Sequence, residues 1–288
     1  MIEVSLRVRP AVSQDQHQIA NLMFFEAHVH RHLDWRAPLE WLGSPFYWVV
    51  EDNGRVLAVL ACPQDPDGVA WVRLFAHARQ LSLEDAWTVL WNNAQQDIGQ
   101  RGGATVALIA MHKWLSDLLV RHGFSHAQDI VMLEWKSSDI PEQMSVAGVK
   151  IRTMQPADLP GVSELDAFAF MPLWQNPLEA LEKALPQATS ATVAEDDQGL
   201  VGYQISTANP FGAHLARLAV RPDAQRHGVG SLIVADLIRR LKKKNVARLT
   251  VNTQSDNLAS LALYEKMGFV LTGEKFPVYC FSISSSRR

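Results

Sequence analysis

The chain has 288 residues, of which 48% are apolar, and a formal net charge of −3 at pH 7. This is enough apolar material for two cores, and no apolar run approaches the roughly 20 residues that span a bilayer. The small negative charge argues against nucleic-acid binding, and two cysteines do not form a disulfide framework. We therefore expect a cytoplasmic protein of two domains, without nucleic-acid or membrane partners.

A histidine cluster is the first notable feature along the chain. In His28-Val29-His30-Arg31-His32 the alternate histidines could point one way on a strand, or His28 and His32 could share a helix face. Either arrangement could hold a metal, but no Cys, Asp or Glu with ligand spacing accompanies them. We predict a helix-end or loop cluster and no metal site.

A polar stretch separates the two halves. Residues 136–143, with the sequence K-S-S-D-I-P-E-Q, contain a proline and no apolar period, as is typical of a linker. We predict a first domain over 1–136, a linker over 137–149 and a second domain over 150–288.

The strongest signal of the second half lies between a predicted strand, Leu215 to Val220, and a predicted helix, Ser231 to Lys244. The connection is Gln225-Arg226-His227-Gly228-Val229-Gly230, whose glycines let a backbone approach a ligand closely. A helix that begins there offers unpaired N–H groups and a partial positive charge. The pattern predicts an anion site suited to a pyrophosphate, although a tight turn alone would also use glycines.

Further elements follow this turn. Asn245 can end the helix in the left-handed conformation, and alternating apolar residues from Ala247 to Val251 predict a strand. Ser255 or Asp256 can cap a second helix that ends near Gly268. On that helix one face would present an amide, a hydroxyl and a phenol, because their positions differ by three and seven residues: Asn257, Ser260 and Tyr264.

This order resembles the GNAT-type N-acetyltransferase superfamily over roughly Ile151 to Ser282. Three blocks carry the resemblance: R-L-A-V-R-P (Arg217 to Pro222), Q-R-H-G-V-G-S (Gln225 to Ser231) and D-N-L-A-S-L-A-L-Y-E-K-M-G-F (Asp256 to Phe269). Each block alone is weak or moderate, whereas three in this order are specific. The resemblance implies that acetyl-CoA is bound and that its acetyl group passes to an amine.

The chain also repeats itself with a shift of about 144 residues. Four pairs match in the same order: Arg9 and Asp15 with Arg152 and Asp158, Val49 to Gly54 with Val193 to Gly199, Arg73-Leu74 with Arg217-Leu218, and Val120 to Phe124 with Glu265 to Phe269. We therefore predict an α/β protein with two tandem GNAT-like domains, each a twisted mixed β-sheet flanked by helices on both faces.

The two predicted copies differ at the glycine turn. The shift places Leu81-Ser82-Leu83-Glu84-Asp85-Ala86 opposite that turn, with no glycine and with two carboxylates that repel a pyrophosphate. Leu119 or Val120 takes the place of Tyr264. We predict that the first copy is degenerate and has lost its cofactor site, with binding of a different ligand as the alternative.

The resemblance implies roles for the residues of the second copy. Backbone groups on the strand before the turn would hold the pantetheine arm and donate to the oxyanion, and the turn would hold the pyrophosphate. Tyr264 would protonate the departing thiolate, because a phenol is protonated at neutral pH. The cofactor-binding residues predicted in this way are Leu218, Ala219, Val220, Gln225, Arg226, His227, Gly228, Val229, Gly230, Ser231, Asn257 and Ser260.

These roles have structural alternatives. Tyr264 could be packed in the core, Asn257 could be an early-helix polar residue, and Ser260 could only permit close packing. The general base is less clear. His214 lies where this family often carries an acid or a histidine, but a strand histidine can be structural, and bulk water can also remove the proton.

The resemblance predicts an acyltransferase that moves an acetyl group from acetyl-CoA to a primary amine of a small molecule by direct attack in a ternary complex. Asp166 to Leu185 falls where the family builds its acceptor wall, although core packing explains its apolar residues equally well: Phe168, Phe170, Met171 and Trp174. The alternatives are a protein or peptide N-acetyltransferase and a CoA-binding sensor without turnover. We expect a monomer or homodimer and no metal.

Overall fold

The structure is a computed structural model that describes residues 6–136 and 144–286. These residues divide into two compact units, 6–127 with 277–286, and 128–136 with 144–276. The boundaries expected from the sequence repeat, at 136 and 150, stay a prediction. Residues 137–143 of the predicted linker lie outside the described residues.

The first unit combines helices with a five-stranded antiparallel sheet and with further strands that are not part of that sheet. Its helices are α1 (Gln16–Phe25), α2 (Leu83–Gln100) and α3 (Lys113–Arg121), and its strands are β1 (Arg7–Pro10), β2 (Val29–Arg31), β3 (Tyr47–Asp52), β4 (Arg55–Ala61), β5 (Val69–Trp71), β6 (Leu74–His77) and β7 (Ala104–Ile109). Strands β1, β3, β4, β6 and β2 follow one another antiparallel, whereas β5 runs parallel to β7. Its core includes the fully buried side chains of Phe75, Trp87 and Trp91.

The second unit is again a mixed sheet with helices. Strand β8 (Ser125–Trp135) leads into it, followed by β9 (Lys150–Thr153), α4 (Leu159–Ala169), α5 (Leu178–Gln187), β10 (Ser190–Asp196), β11 (Gly199–Asn209), β12 (Gly212–Val220), α6 (Val229–Lys243), β13 (Leu249–Gln254), α7 (Leu258–Lys266) and β14 (Val270–Ile283). The strand order is β8, β13, β12, β11, β10, β9, and β12 with β13 is the parallel pair.

The division between the units falls within β8 and within β14. Residues 130–135 of β8 pair with β13 in the second unit, and residues 278–283 of β14 pair with β7 in the first. Each unit therefore takes a strand from the end of the other sequence repeat, which a repeat of contiguous segments does not predict.

The internal repeat appears as the same arrangement of ion pairs in both units. Arg9 donates two hydrogen bonds to Asp15, at 2.7 and 2.8 Å, and a third to Glu51. Arg152 makes the same two contacts with Asp158, at 2.7 and 2.8 Å, and a third with Glu195 at 2.9 Å. Because a bidentate fork fixes the geometry of both partners, this match supports the alignment of the two copies.

The histidine cluster differs from its prediction. Val29–Arg31 forms strand β2, paired antiparallel with β6, so the centre of the cluster is a strand, whereas His28 and His32 lie just outside it. His28 stacks on His77, and the buried His30 ring lies 3.0 Å from the Val72 carbonyl. The strand forms because β6 has an open edge, and that edge cannot be seen in the local sequence.

Candidate functional site

The glycine turn joins β12 to α6, as the sequence predicts. Gly228 is the N-cap of α6 and has φ of 88°, a left-handed conformation that favours glycine. Arg226 is also left-handed, with φ of 64°. No side chain caps the helix, so the first N–H groups of α6, starting at Val229, have no partner of that kind. An uncapped N-terminus with strained backbone beside it is suited to an anion.

Strand β12 presents an open edge next to this turn. It pairs with β11 along one side, but with β13 through Ala213, His214 and Leu215 alone. In the part of the chain that the structure describes, residues 217–220 have no ladder partner on the β13 side. These include the predicted residues Leu218, Ala219 and Val220, so their backbone groups can pair with an extended ligand. We call the gap between β12 and β13 the fork.

Helix α7 begins beside the fork, and its cap differs from the prediction. Asn257, rather than Ser255 or Asp256, is the N-cap, and its side-chain oxygen accepts from the Ser260 N–H at 3.1 Å. Asn257 takes this position because the helix begins at Leu258, one residue later than a cap at Asp256 requires and two residues later than a cap at Ser255 requires. Asn257 is half-buried, and the Ser260 backbone is hydrogen-bonded to it.

Tyr264 lies seven residues along the same helix. Its ring is buried and packs on Phe269 with 5.4 Å between ring centroids. Burial raises the pKa of the Tyr264 phenol, so the hydroxyl stays protonated throughout the physiological range. A protonated phenol can serve as an acid, but it cannot serve as a base.

His214 lies on β12 where it still pairs with β13. Its Nδ1 is 2.9 Å from the Thr250 hydroxyl, and that hydroxyl is 3.3 Å from the Ala213 carbonyl. Burial lowers the pKa of His214, so the imidazole is neutral at pH 7. His214, the predicted base, therefore has a neutral imidazole ring that lies against the Thr250 hydroxyl.

The predicted acceptor wall is anchored by a buried ion pair that sequence reasoning missed. Asp166 of α4 has no exposed surface and accepts two hydrogen bonds from Arg217 at 2.7 Å, another from the Tyr203 hydroxyl and one from the Asn176 N–H. Arg217 also donates to the Trp174 carbonyl at 2.7 Å and covers the Phe170 ring. A charged residue at a strand position with apolar neighbours was the available signal.

Two apolar side chains of this wall remain in solvent. Phe168 is 75% exposed and Met171 is 74% exposed, whereas the guanidinium carbon of Arg217 lies 3.5 Å from the Phe170 ring centroid. Core packing therefore does not explain Phe168 and Met171. Both side chains are therefore accessible to a ligand.

A cavity of about 600 Å³ lies elsewhere on the second unit. Its lining includes Arg239, Arg240 and Lys243 from the C-terminal half of α6, together with Lys244 just after it, at the opposite end of the helix from the glycine turn. Cations there are favoured by the helix dipole, and Arg240 pairs with Asp236 one turn earlier. The fork is thus distinct from this cavity.

The described residues also bear on metal binding and on membrane insertion. Among residues 6–136 and 144–286, no group of three or more His, Cys, Asp or Glu side chains could hold a metal ion. Within the same residues, no helix is both long enough and apolar enough to cross a bilayer.

Part of the sequence is similar to known proteins. Residues 159–269 match the family described as acetyltransferase (GNAT) family. Mycothiol acetyltransferase of Saccharomonospora viridis is 28% identical over 185 residues, which are 55% of this chain and 58% of that protein. The [ribosomal protein bS18]-alanine N-acetyltransferase of Escherichia coli K12 is 44% identical over 57 residues, 20% of this chain and 38% of that protein. The chain thus spans between about two fifths and three fifths of the length of these relatives.

Solved structures extend the likeness to nearly the whole chain. A GCN5-related N-acetyltransferase from Sphaerobacter thermophilus has a TM-score of 0.63 at 16% identity, covering 98% of this chain and 97% of that one. A tandem GNAT protein from the clavulanic acid biosynthesis pathway has a TM-score of 0.66 at 17% identity, covering 98% and 100%. The predicted fold of two tandem GNAT-like domains is thereby confirmed. The chain carries a domain of the GNAT acetyltransferase family over residues 159–269.

Proposed function

We propose that the second unit is an acetyl-CoA-dependent N-acetyltransferase acting on a primary amine of a small molecule. The observation that carries this proposal is the uncapped N-terminus of α6 beside the open edge of β12. A pyrophosphate needs the first and an extended pantetheine arm needs the second. The named relatives use different acceptors, a ribosomal protein among them, so the acceptor class rests on this chain's own residues.

The backbone of the fork would bind and orient the acyl donor. N–H groups at the start of α6 hold the pyrophosphate, and the stretch from Leu218 to Val220 holds the pantetheine arm. A backbone N–H of that stretch donates to the thioester oxygen as negative charge develops on it. The Asn257 amide reaches the arm from the start of α7.

The reaction then needs one base and one acid. The amine lone pair attacks the thioester carbonyl, a C–N bond forms, and the nitrogen releases a proton to His214. The C–S bond breaks, and the sulfur takes a proton from Tyr264, which gives the amide and the free thiol of CoA. The neutral imidazole and the protonated phenol are the forms that these two steps require.

We propose that the first unit holds no acetyl-CoA. Strand β6 pairs with β4 in the same way as residues 217–220 of β12 pair with β11. The edge of β6 that faces away from β4 therefore corresponds to the open edge of β12. In the first unit β2 occupies that edge. The corresponding helix, α2, is capped by Ser82, which accepts from the Asp85 N–H at 3.0 Å, and carries Glu84 in its first turn. The chain itself thus fills both places that the acyl donor would use.

Calorimetric titration with acetyl-CoA tests the site count. We expect one molecule bound per chain, because one fork is open. Two molecules per chain would contradict the assignment to the second unit, and no binding would reject both the enzyme and the sensor. The titration uses the full chain, since β8 and β14 contribute to both units.

A thiol-release assay tests turnover and the acceptor class. The panel contains small primary amines and a peptide with a free N-terminus. We expect release of CoA with the small amines. Release with the peptide alone would favour a protein acetyltransferase, and binding without release on any acceptor would favour a sensor.

Changing Tyr264 to Phe separates its chemical role from its packing. Phe keeps the contact with Phe269 and lacks the proton, so we expect kcat to fall by about 100-fold or more. The dissociation constant for acetyl-CoA should stay within about twofold, because the interaction lost is made during bond breaking. The measurements are steady-state turnover and calorimetry. A variant as active as the parent protein would remove the acid role.

A further inference from the structure

Asn252 stands where the fork opens. On one side β13 pairs with β12 through Leu249, Thr250 and Val251, and Asn252 is the next residue. On its other side Asn252 pairs with Met132 of β8. The residue is therefore held by the sheet at the point where the two parallel strands part.

The side chain of Asn252 lies on the same face of the sheet as the predicted base. Residues two apart on a strand share a face, so Asn252 follows Thr250 there at about 7 Å along the strand. Thr250 is the partner of His214. Leu249 and Val251 belong to the other face, in the core that includes Leu237 of α6.

The Asn252 side chain carries an unsatisfied hydrogen-bond acceptor. Its Oδ1 is buried and accepts no hydrogen bond within the described part of the chain. A buried acceptor without a donor costs about 1–3 kcal/mol, and such atoms are rare in folded proteins. The oxygen is therefore placed for a donor that arrives from outside the chain.

The neighbouring histidine presents a second acceptor. The Thr250 hydroxyl has one proton, and the Ala213 carbonyl, which can only accept, lies within reach of it. The hydroxyl then accepts from His214 Nδ1–H, which leaves Nε2 with its lone pair. The face beside the fork therefore offers two acceptors, Nε2 of His214 and Oδ1 of Asn252.

We propose that Asn252 is a specificity-determining residue that accepts an N–H of the acceptor and so selects primary over secondary amines. The inference rests on the proposed function. A neutral primary amine has two N–H groups, one for His214 and one for Asn252, and its lone pair is free to attack the thioester carbon. A secondary amine has one N–H and leaves one acceptor buried and unpaired, which a site of this kind penalises strongly.

The chemical step is unchanged by this contact. The C–N bond forms, the N–H directed at His214 gives up its proton to Nε2, and the C–S bond breaks as Tyr264 protonates the sulfur. The N–H directed at Asn252 stays on nitrogen and becomes the amide N–H of the product. Asn252 thus holds a proton in place and takes none.

The test compares Asn252→Leu with Asn252→Asp. Leucine has nearly the same size and no acceptor, whereas aspartate keeps an acceptor oxygen at the same place. The probes are the primary amine that the parent protein acetylates fastest and its N-methyl derivative. Because leucine opens no space, a purely steric preference against the methyl group would survive in Asn252→Leu.

The parent protein should prefer the primary amine by about 100-fold or more in kcat/KM. In Asn252→Leu we expect the KM for the primary amine to rise at least about tenfold and the preference to fall below about tenfold. Asn252→Asp should keep most of the preference. The KM for acetyl-CoA should change in neither variant, and the melting temperature of Asn252→Leu without acceptor should be equal or higher, because an unpaired oxygen is lost.

Three outcomes would overturn the inference alone. A preference retained in Asn252→Leu assigns selection to shape, and a parent protein without preference leaves nothing to select. A lower melting temperature of Asn252→Leu with unchanged kinetics assigns a structural role. Absence of turnover in the parent protein removes the proposed function together with the inference, whereas the first three outcomes leave that function intact.

Discussion

Replacing Gly228 with Asp should abolish acetyl-CoA binding, with a rise in the dissociation constant of at least about 100-fold. Gly228 is the N-cap of α6, and the N–H groups beside it lack a side-chain partner. An aspartate there accepts from those N–H groups, as Ser82 does at the start of α2, and sets a negative charge against the phosphates. Calorimetry with acetyl-CoA measures the loss.

Gly228→Asn is the matched control. Asn has the same shape as Asp without the charge, and it tolerates a φ of 88° better than most residues. A side chain at this position meets Val146 at 3.4 Å, an ordinary contact, so both variants should fold. We expect Asn to weaken binding by about tenfold, through competition for the N–H groups. Equal affinities in the two variants would show that charge at this turn does not matter, and unchanged binding in Gly228→Asp would move the pyrophosphate elsewhere.

The parts of the site that lie close together in the sequence were predictable from it. The strand, the glycine turn and the helix follow within 30 residues, and each has a local signature. Asn245 does adopt a positive φ, of 58°, just after α6, and Gly268 adopts one of 84° after α7. The cap of α7 was placed one or two residues early, because Ser, Asp and Asn follow one another there and all three can cap.

Features that depend on distant pairing were not predictable. Strand β2 forms because β6 has a free edge, and a histidine-rich segment of three residues carries no strand signal of its own. The parts that β8 and β14 play in both units depend on contacts between residues more than 100 positions apart. The sequence repeat aligns Arg73 with Arg217, but the pairing of the strands in the two sheets aligns Leu74 with Arg217, one residue further along.

The candidate site shows the same division between near and distant residues. Tyr264 and Asn257 could be predicted from the pattern of one helix. Asn252 was identified from its buried Oδ1 atom, which accepts no hydrogen bond within the described residues, and this depends on packing. Asp166 and Arg217 are 51 positions apart. Neither residue indicates the other in the sequence, yet together they hold the wall that carries Phe168 and Met171.

Changing Asp166 to Ala should destabilise the second unit by about 3–5 kcal/mol, because it leaves Arg217 charged, buried and without its counterion. The change also removes the acceptor for the Tyr203 hydroxyl and for the Asn176 N–H. Urea unfolding of the full chain measures the loss. We expect a lower urea concentration at the midpoint of the second unit's unfolding transition. Acetyl-CoA binding should be retained at urea concentrations below that midpoint.

The double variant Asp166→Ala with Arg217→Met distinguishes a stranded charge from a lost contact. Methionine fills part of the arginine volume without charge, so it should restore at least about half of the stability lost in Asp166→Ala. A matched comparison is Asp158→Ala, since Arg152 is 40% exposed and water can solvate it, and we expect about 1 kcal/mol there. If Asp166→Ala lost no more stability than Asp158→Ala, the buried pair would not anchor the wall. The exposed positions of Phe168 and Met171 would then depend on the α4–α5 segment alone.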